Sequence, residues 1–218
     1  MAQLYKRDFS SNQWKVLQVD STNSETIFTG LCLPNGTVVA AGDFNISWTT
    51  DEGAHWTKEW TLPDSATVSR NGLAYSPEGI LIAGTFNGIY ITDKTDTLWQ
   101  RIGANLPDSY FPAVFVAPNG NYFASSKTHI YRSTDSGKTW TEPDTESYHR
   151  PIVCFTANKQ RILFAGSDDG LYASLNNGQN WSRINDSLNV TGLFKSSDGY
   201  IYVTTIWGVW RSTDDGIT

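Results

Sequence analysis

The sequence predicts an all-β chain, a β-propeller of four-stranded antiparallel blades, and three observations predict it. Five tryptophans, Trp14, Trp56, Trp99, Trp140 and Trp181, are separated by 42, 43, 41 and 41 residues, and the last turn, Ser212–Thr218, would set a sixth one position beyond Thr218. Between them, short apolar runs are broken by turn-forming residues roughly every 8 to 12 positions, which is strand spacing. No helical period of apolar residues is sustained anywhere in the 218 residues. Sheets of this size bury both faces only against like neighbours, and a ring of them removes exposed edges.

One unit shows the elements in order. Gly72-Leu73-Ala74-Tyr75-Ser76 reads as a strand and Pro77-Glu78-Gly79 as a turn; Ile80–Gly84, Gly88–Thr92 and Trp99–Ile102 supply three more strands. The first turn recurs at Pro34-Asn35-Gly36, Pro118-Asn119-Gly120, Ala157-Asn158-Lys159-Gln160 and Ser197-Asp198-Gly199. Four complete blades are expected at 25–62, 68–104, 110–145 and 150–187, and a fifth from 188–213 closed by 1–19, all in one domain over 1–218. Five blades with one redundant strand is the preferred count. The alternative is an excerpt of a six- or seven-bladed parent whose other blades lie beyond either end.

Each tryptophan closes a turn motif. The fullest copy is Ser133-Thr134-Asp135-Ser136-Gly137-Lys138-Thr139-Trp140; others carry Thr49, Asp51, Gly53 and Trp56, then Ser174, Asn176, Gly178 and Trp181, and finally Ser212, Asp214 and Gly216. A hydroxyl and a carboxylate can bond the backbone of a tight turn, glycine permits positive φ, and the indole leaves the turn to cover apolar surface. The pattern resembles the Asp-box (BNR) repeat family, over essentially the whole chain. Departures occur at Lys94 and Asp96 before Trp99, at Asn176, and in the first unit at Arg7, Phe9 and Ser11. A structural turn tolerates such decay, so the boxes are read as fold elements. No copy supplies the alternating oxygen ligands and closing Glu of an EF-hand loop, and His129 and His149 lack partners at ligand spacing, so neither metal nor cofactor is expected.

Composition narrows the partners. Sixteen basic against twenty-two acidic residues leave a formal charge of −6, without the basic footprint that nucleic acid or an anionic membrane would select. No apolar run approaches the roughly 18 residues needed to cross a bilayer, so no membrane insertion is expected. The start shows no hydrophobic stretch of the secretory kind; a secreted or cell-surface chain with its signal removed is preferred over a cytosolic one. Cys32 and Cys154 each sit in an apolar run and are read as buried free thiols.

In a propeller the loops joining strands two to three, and blade to blade, emerge opposite the boxes. That face carries the individual residues and is the expected binding surface. Its candidates are Arg70, Tyr110, Tyr148, His149, Arg150, Asp168 and Trp207: aromatic faces, guanidinium groups and a carboxylate around one mouth, suited to a glycan or protein partner. Phe44, Phe86 and Phe111 are read as plugs or seam covers. The resemblance to Asp-box proteins implies two classes of function. Sortilin-type receptors and photosystem II assembly factors are recognition modules, whereas sialidases and xyloglucanases are glycosidases. Sialidases of the family use an arginine triad and an Arg-Ile-Pro segment. Here the nearest segment is Arg150-Pro151-Ile152, and only Arg70 and Arg150 face the mouth. The expected function is therefore non-catalytic binding, with a glycoside hydrolase, for instance through Asp144 and Asp168, as the alternative.

Overall fold

A computed structural model describes residues 4–8, 13–17, 27–42, 45–63, 66–93, 98–145, 150–214 and 216. The described residues contain no α-helix. Strands β1 (Leu4–Asp8) and β2 (Gln13–Leu17) pair antiparallel. The first full sheet is β3 (Ile27–Cys32), β4 (Val38–Gly42), β5 (Asn45–Thr49) and β6 (Thr57–Thr61) in sequence order. The second is β7 (Val68–Tyr75), β8 (Leu81–Thr85), β9 (Ile89–Thr92) and β10 (Gln100–Ile102). β11 (Ala113–Val116), β12 (Tyr122–Ser125) and β13 (Ile130–Ser133) form the third. After the short β14 (Asp144–Thr145) come β15 (Ile152–Ala157), β16 (Leu163–Ser167), β17 (Gly170–Ser174) and β18 (Asn180–Asn185), the fourth sheet. The fifth is β19 (Val190–Lys195), β20 (Ile201–Thr205) and β21 (Gly208–Ser212).

The first strand of each full sheet is innermost, so β3, β7, β11, β15 and β19 stand side by side around a hub. Two contacts tie the hub directly: Asn71 pairs parallel with Ala113, and the Asn71 side-chain amide donates to the Val153 carbonyl at 2.7 Å. This is the propeller that the tryptophan period predicts.

The core lies in the seams between sheets. Trp99 packs between Val39 and Ile46 of the first sheet and Leu73 and Tyr90 of the second. Trp140 fills the next seam among Ile82, Ile89, Tyr122 and Tyr131. Trp181 fills the third among Phe123, Ile130, Phe155 and Leu163, meeting Phe123 edge-on at 6.1 Å between ring centroids. An indole of this kind is the largest apolar surface a turn can deliver into a seam.

Two expectations are corrected. The third sheet's fourth strand shrinks to one bridge, in which Arg132 and Thr141 exchange backbone hydrogen bonds at 2.8 Å. Pro143 then interrupts the ladder because it has no N–H to give, and β14 pairs instead in parallel with β18. Cys154 is buried, with its thiol pushed up to about 12 by desolvation, but Cys32 is exposed. Cys32 pairs with Val38 as Ala157 pairs with Leu163, and Ala157 faces the preceding sheet. Cys32 belongs to none of the buried clusters of the described residues, and its thiol is exposed.

Candidate functional site

The two rims of the propeller differ in what their side chains bond. On the turn rim, the Ser133 hydroxyl donates to Asp135 Oδ1 at 2.8 Å and accepts from the Gly137 N–H at 2.9 Å. The carboxylate takes the Thr139 N–H at 2.9 Å on one oxygen and the Thr139 hydroxyl at 2.6 Å on the other. Thr49, Asp51, Gly53 and His55 repeat the arrangement, with Asp51 accepting the His55 N–H at 2.9 Å. Donation from Thr139, side chain first and then backbone, lowers Asp135 to about 2, and the His55 N–H, Thr49 hydroxyl and His55 ring drive Asp51 lower still. Asn176 does the same work without a charge: its Oδ1 accepts from Ser174 at 3.0 Å and from the Asn180 N–H at 2.9 Å. Ser212, Asp214 and Gly216 form the same turn at the end of β21, with Gly216 N–H on the Ser212 hydroxyl at 2.8 Å. These groups are engaged by their own backbone. Among the described residues no group of three or more His, Cys, Asp or Glu could hold a metal ion.

The opposite mouth holds a groove of about 390 Å³. The innermost strands supply Phe28, Val68, Arg70, Asn71, Val153 and Thr191, and the loops add Phe86, Tyr110, Pro112, Asp168 and Asn189. Phe86 and Tyr110 stack at 4.8 Å between centroids with planes 19° apart, yet are 56% and 37% exposed, so the pair forms a shelf open to ligand. Arg70 and Asp168 bring opposite charges to the same groove, and both are exposed.

The strand two to three loops explain which side chains reach it. In Thr85-Phe86-Asn87 the threonine hydroxyl accepts the Asn87 N–H at 3.1 Å, and in Ser167-Asp168-Asp169 the serine hydroxyl accepts the Asp169 N–H at 3.5 Å. The middle residue, Phe86 or Asp168, is left at the groove. The third residue turns back to its own sheet: Asn87 accepts from the Tyr90 hydroxyl at 3.3 Å and Asp169 from Tyr172 at 3.2 Å. Trp207 occupies that third place, its N–H on the Thr205 hydroxyl at 3.2 Å, and does not line the groove.

Of the sequence candidates, the structure thus brings Arg70, Tyr110 and Asp168 together. Arg150 is exposed just ahead of β15 and outside the groove; Tyr148 and His149, like Phe44, lie outside the described residues. Phe111 is buried in the seam filled by Trp140, as a seam cover should be, but Phe86 is a groove residue. Asp144 sits on β14, the strand of its sheet furthest from the hub-lining β15, whereas Asp168 stands in the loop after β16. The sequence reading missed the strand positions Phe28, Asn71 and Thr191. Their only signal is their place near a first strand's hub end. It also missed a clamp in which Tyr131 donates to Asp108 at 2.6 Å with His129 Nδ1 at 3.6 Å. Burial and then Asp108 raise the Tyr131 hydroxyl. For Asp108 burial acts upward, but the bonds from Tyr131 and Ser126 and the His129 charge outweigh it and hold the carboxyl below its ordinary value.

The turn rim has a hollow of its own, about 550 Å³, edged by Pro34, Pro77, Pro118, Tyr75 and Phe115. Its walls are the repeated strand one to two turns and carry one described charge, Lys195.

Residues 79–215 match the DUF6242 beta propeller domain family, and the chain belongs to that family. No protein of curated function matches it. Solved structures share the fold at low identity. The extracellular domain of BT4673 from B. thetaiotaomicron superposes with a TM-score of 0.72 at 15% identity, over 91% of this chain but only 28% of that one. Streptogramin B lyase gives 0.80 at 16%, covering 98% of this chain and 74% of the lyase. YCF48 bound to D1 peptide gives 0.69 at 16%, over 92% and 67%.

Proposed function

We propose that this member of the DUF6242 β-propeller family is a binding module that holds an extended protein segment in the groove opposite the turn rim. The observation that carries the reading is the exposed Phe86–Tyr110 stack set beside Arg70 and Asp168 in one largely apolar groove. An aromatic shelf is a hot-spot surface, and a guanidinium at its side takes a carboxylate in a bidentate grip. Asn189 and Thr191 add polar groups for a peptide backbone. A glycan would use the same shelf through its apolar faces and is the second occupant of the class. Catalysis by a carboxylate pair is less favoured because Asp168 is the one carboxylate among the described residues lining the groove, and glycoside hydrolysis ordinarily needs two about 5 to 10 Å apart. In this reading the hydroxyl–Asp–Gly turns are Asp boxes that serve the fold, and the chain is one propeller domain, displayed outside the cell.

The test is an array of acidic, aromatic-containing peptides beside an array of glycans, probed with the wild-type protein and with Phe86→Ala and Arg70→Ala. Retention of a peptide set, lost at least tenfold in both variants, supports the reading. Retention that neither substitution changes would place the site elsewhere. Turnover of aryl glycosides, abolished by Asp168→Asn, would replace binding by hydrolysis.

A further inference from the structure

The hub strands line the mouth groove through a repeated backbone device, and one strand enlarges it. In β3, β15 and β19 the ladder to the second strand skips one residue, Phe28, Val153 and Thr191 respectively, and each of these lines the groove. A bulge re-aims a side chain in this way. β11 has no such shift. In β7 the shift is larger. Between the pairs Val68–Thr85 and Leu73–Ala83 the four residues Ser69 to Gly72 stand against Gly84 alone, and Arg70 and Asn71 come to line the groove. The insertion is tightly folded: a Cβ on Gly72 would lie 2.3 Å from the Gly84 carbonyl oxygen and 2.9 Å from the Ser69 backbone N and O, so only glycine closes it. Asn71 anchors it through its amide on the Val153 carbonyl. The buried Ser69 hydroxyl has no hydrogen-bond partner among the described residues, a cost in stability of the sort that collects at functional sites.

The charge that this insertion delivers is unpaired. Arg70 makes no ion pair and no hydrogen bond among the described residues. Asp168, in the loop after β16, takes only the Ser167 hydroxyl at 3.4 Å. Its neighbour Asp169 is engaged, with the Tyr172 hydroxyl on its carboxylate and the Arg183 guanidinium on its carbonyl. Two exposed groups of opposite sign thus line one groove, and neither neutralises the other. They belong to the second and fourth sheets, with the third between them. The aromatic shelf stands at the intervening place, since Phe86 follows β8 of the second sheet and Tyr110 precedes β11 of the third. The order along the groove is cation, shelf, anion.

Resting on the reading of this groove as a peptide site, we infer that its ligand is dipolar: an extended protein segment with an acidic, an aromatic and a basic side chain at alternate positions, taken by Arg70, the Phe86–Tyr110 shelf and Asp168. Alternate side chains of an extended chain share one face, so the three reach the three stations while the two between them point to solvent. Asp168 is then a specificity-determining residue. A segment with acids at both ends satisfies Arg70 but sets a like charge against Asp168, and such repulsion is how a groove rejects a wrong partner.

The experiment titrates two peptides, acetyl-Glu-Ser-Phe-Ser-Lys-amide and acetyl-Glu-Ser-Phe-Ser-Glu-amide, into the 218-residue protein and follows binding by calorimetry. Their ends are blocked, so every charge is a side chain's. The first peptide is expected to bind about fivefold or more tightly at low salt, by a margin that shrinks as salt rises. Asp168→Lys, a change at an exposed loop position, is expected to reverse the preference, and Phe86→Ala to weaken both peptides. Equal binding of the two peptides, or a preference that Asp168→Lys leaves unchanged, overturns the dipolar ligand; the groove itself still stands as a peptide site if Phe86→Ala weakens them. Binding of neither peptide, or binding that Phe86→Ala does not touch, removes the peptide site and the dipolar ligand with it.

Discussion

On the turn rim the Ser133 hydroxyl and the Asp135 carboxylate bond back into their own turn, whereas on the opposite rim the Phe86 ring and the Arg70 guanidinium are left to solvent. The two rims belong to the same strands, so the difference is not one of scaffold. It is one of repetition. A residue that recurs in every unit answers a need that every unit has, which is to close a hairpin and seal a seam. A residue found once, such as Arg70, answers no such need and is free for a ligand. If this holds, substitutions at the repeated positions lower stability and leave binding to the folded protein intact, and those in the groove do the reverse.

The largest separation is expected between Trp181→Ala and Phe86→Ala. Trp181 is 3% exposed and touches Phe123 and Phe155, so its truncation leaves a cavity between two sheets and costs about 3 to 5 kcal/mol. Phe86 is 56% exposed, and its truncation costs about 0.5 kcal/mol or less. Thermal melts followed by circular dichroism compare them directly: a drop of roughly 10 °C for the first against about 1 to 2 °C for the second. Equal drops would end the distinction between the rims.

Glycine offers a finer cut within the repeated set. Gly178 has φ +75° and its missing Cβ is the space taken by the Phe123 ring, while Gly36 has φ +84° and nothing within 4 Å. Gly36→Ala bears only the left-handed backbone penalty, about 1 kcal/mol, and Gly178→Ala adds the displaced ring, for about 2 to 3 kcal/mol in all. Urea midpoints of the two variants measure the difference, and coincident midpoints would mean that the box glycine is required for its backbone alone.

The same logic decides how much could be read in advance. The period of the indoles exposes the sheets, their order and the turns, because each unit repeats one solution to the same packing problem. Phe86 and Phe111 could not be separated by type, since both are phenylalanines beside hub loops. What separates them is that Thr85 places Phe86 at the middle of a hydroxyl-capped turn, whereas Phe111 folds under into the Trp140 seam. Trp207 has the size of a mouth residue, but its third place in the same kind of turn keeps it off the groove and leaves it exposed. Tyr110 and Asp168 are legible because loop order alone fixes the rim from which they rise, and Arg70 because it stands at the start of β7, next to such a loop. Phe28 and Thr191 were not, because a strand's inner edge has no sequence mark of its own.

The smallest effect concerns charge on the turn rim. Asp135 is held at about 2 by donation from Thr139 and then Ser133, below the roughly 3.9 of an unfolded chain. A depressed folded value means that the carboxylate stabilises the native state above about pH 4, and that this contribution is lost as pH falls toward 2. Asp135→Asn removes the titration but keeps an acceptor oxygen, as Asn176 already does with the Asn180 N–H at 2.9 Å. The variant is therefore expected to melt within a few degrees of wild type at pH 7 and to lose less stability between pH 4 and 2. The Tm difference between pH 7 and pH 2.5 should shrink in the variant. Parallel curves for the two proteins would mean that the turn does not use the charge of Asp135, and that on this rim hydrogen-bond shape alone is what repeats.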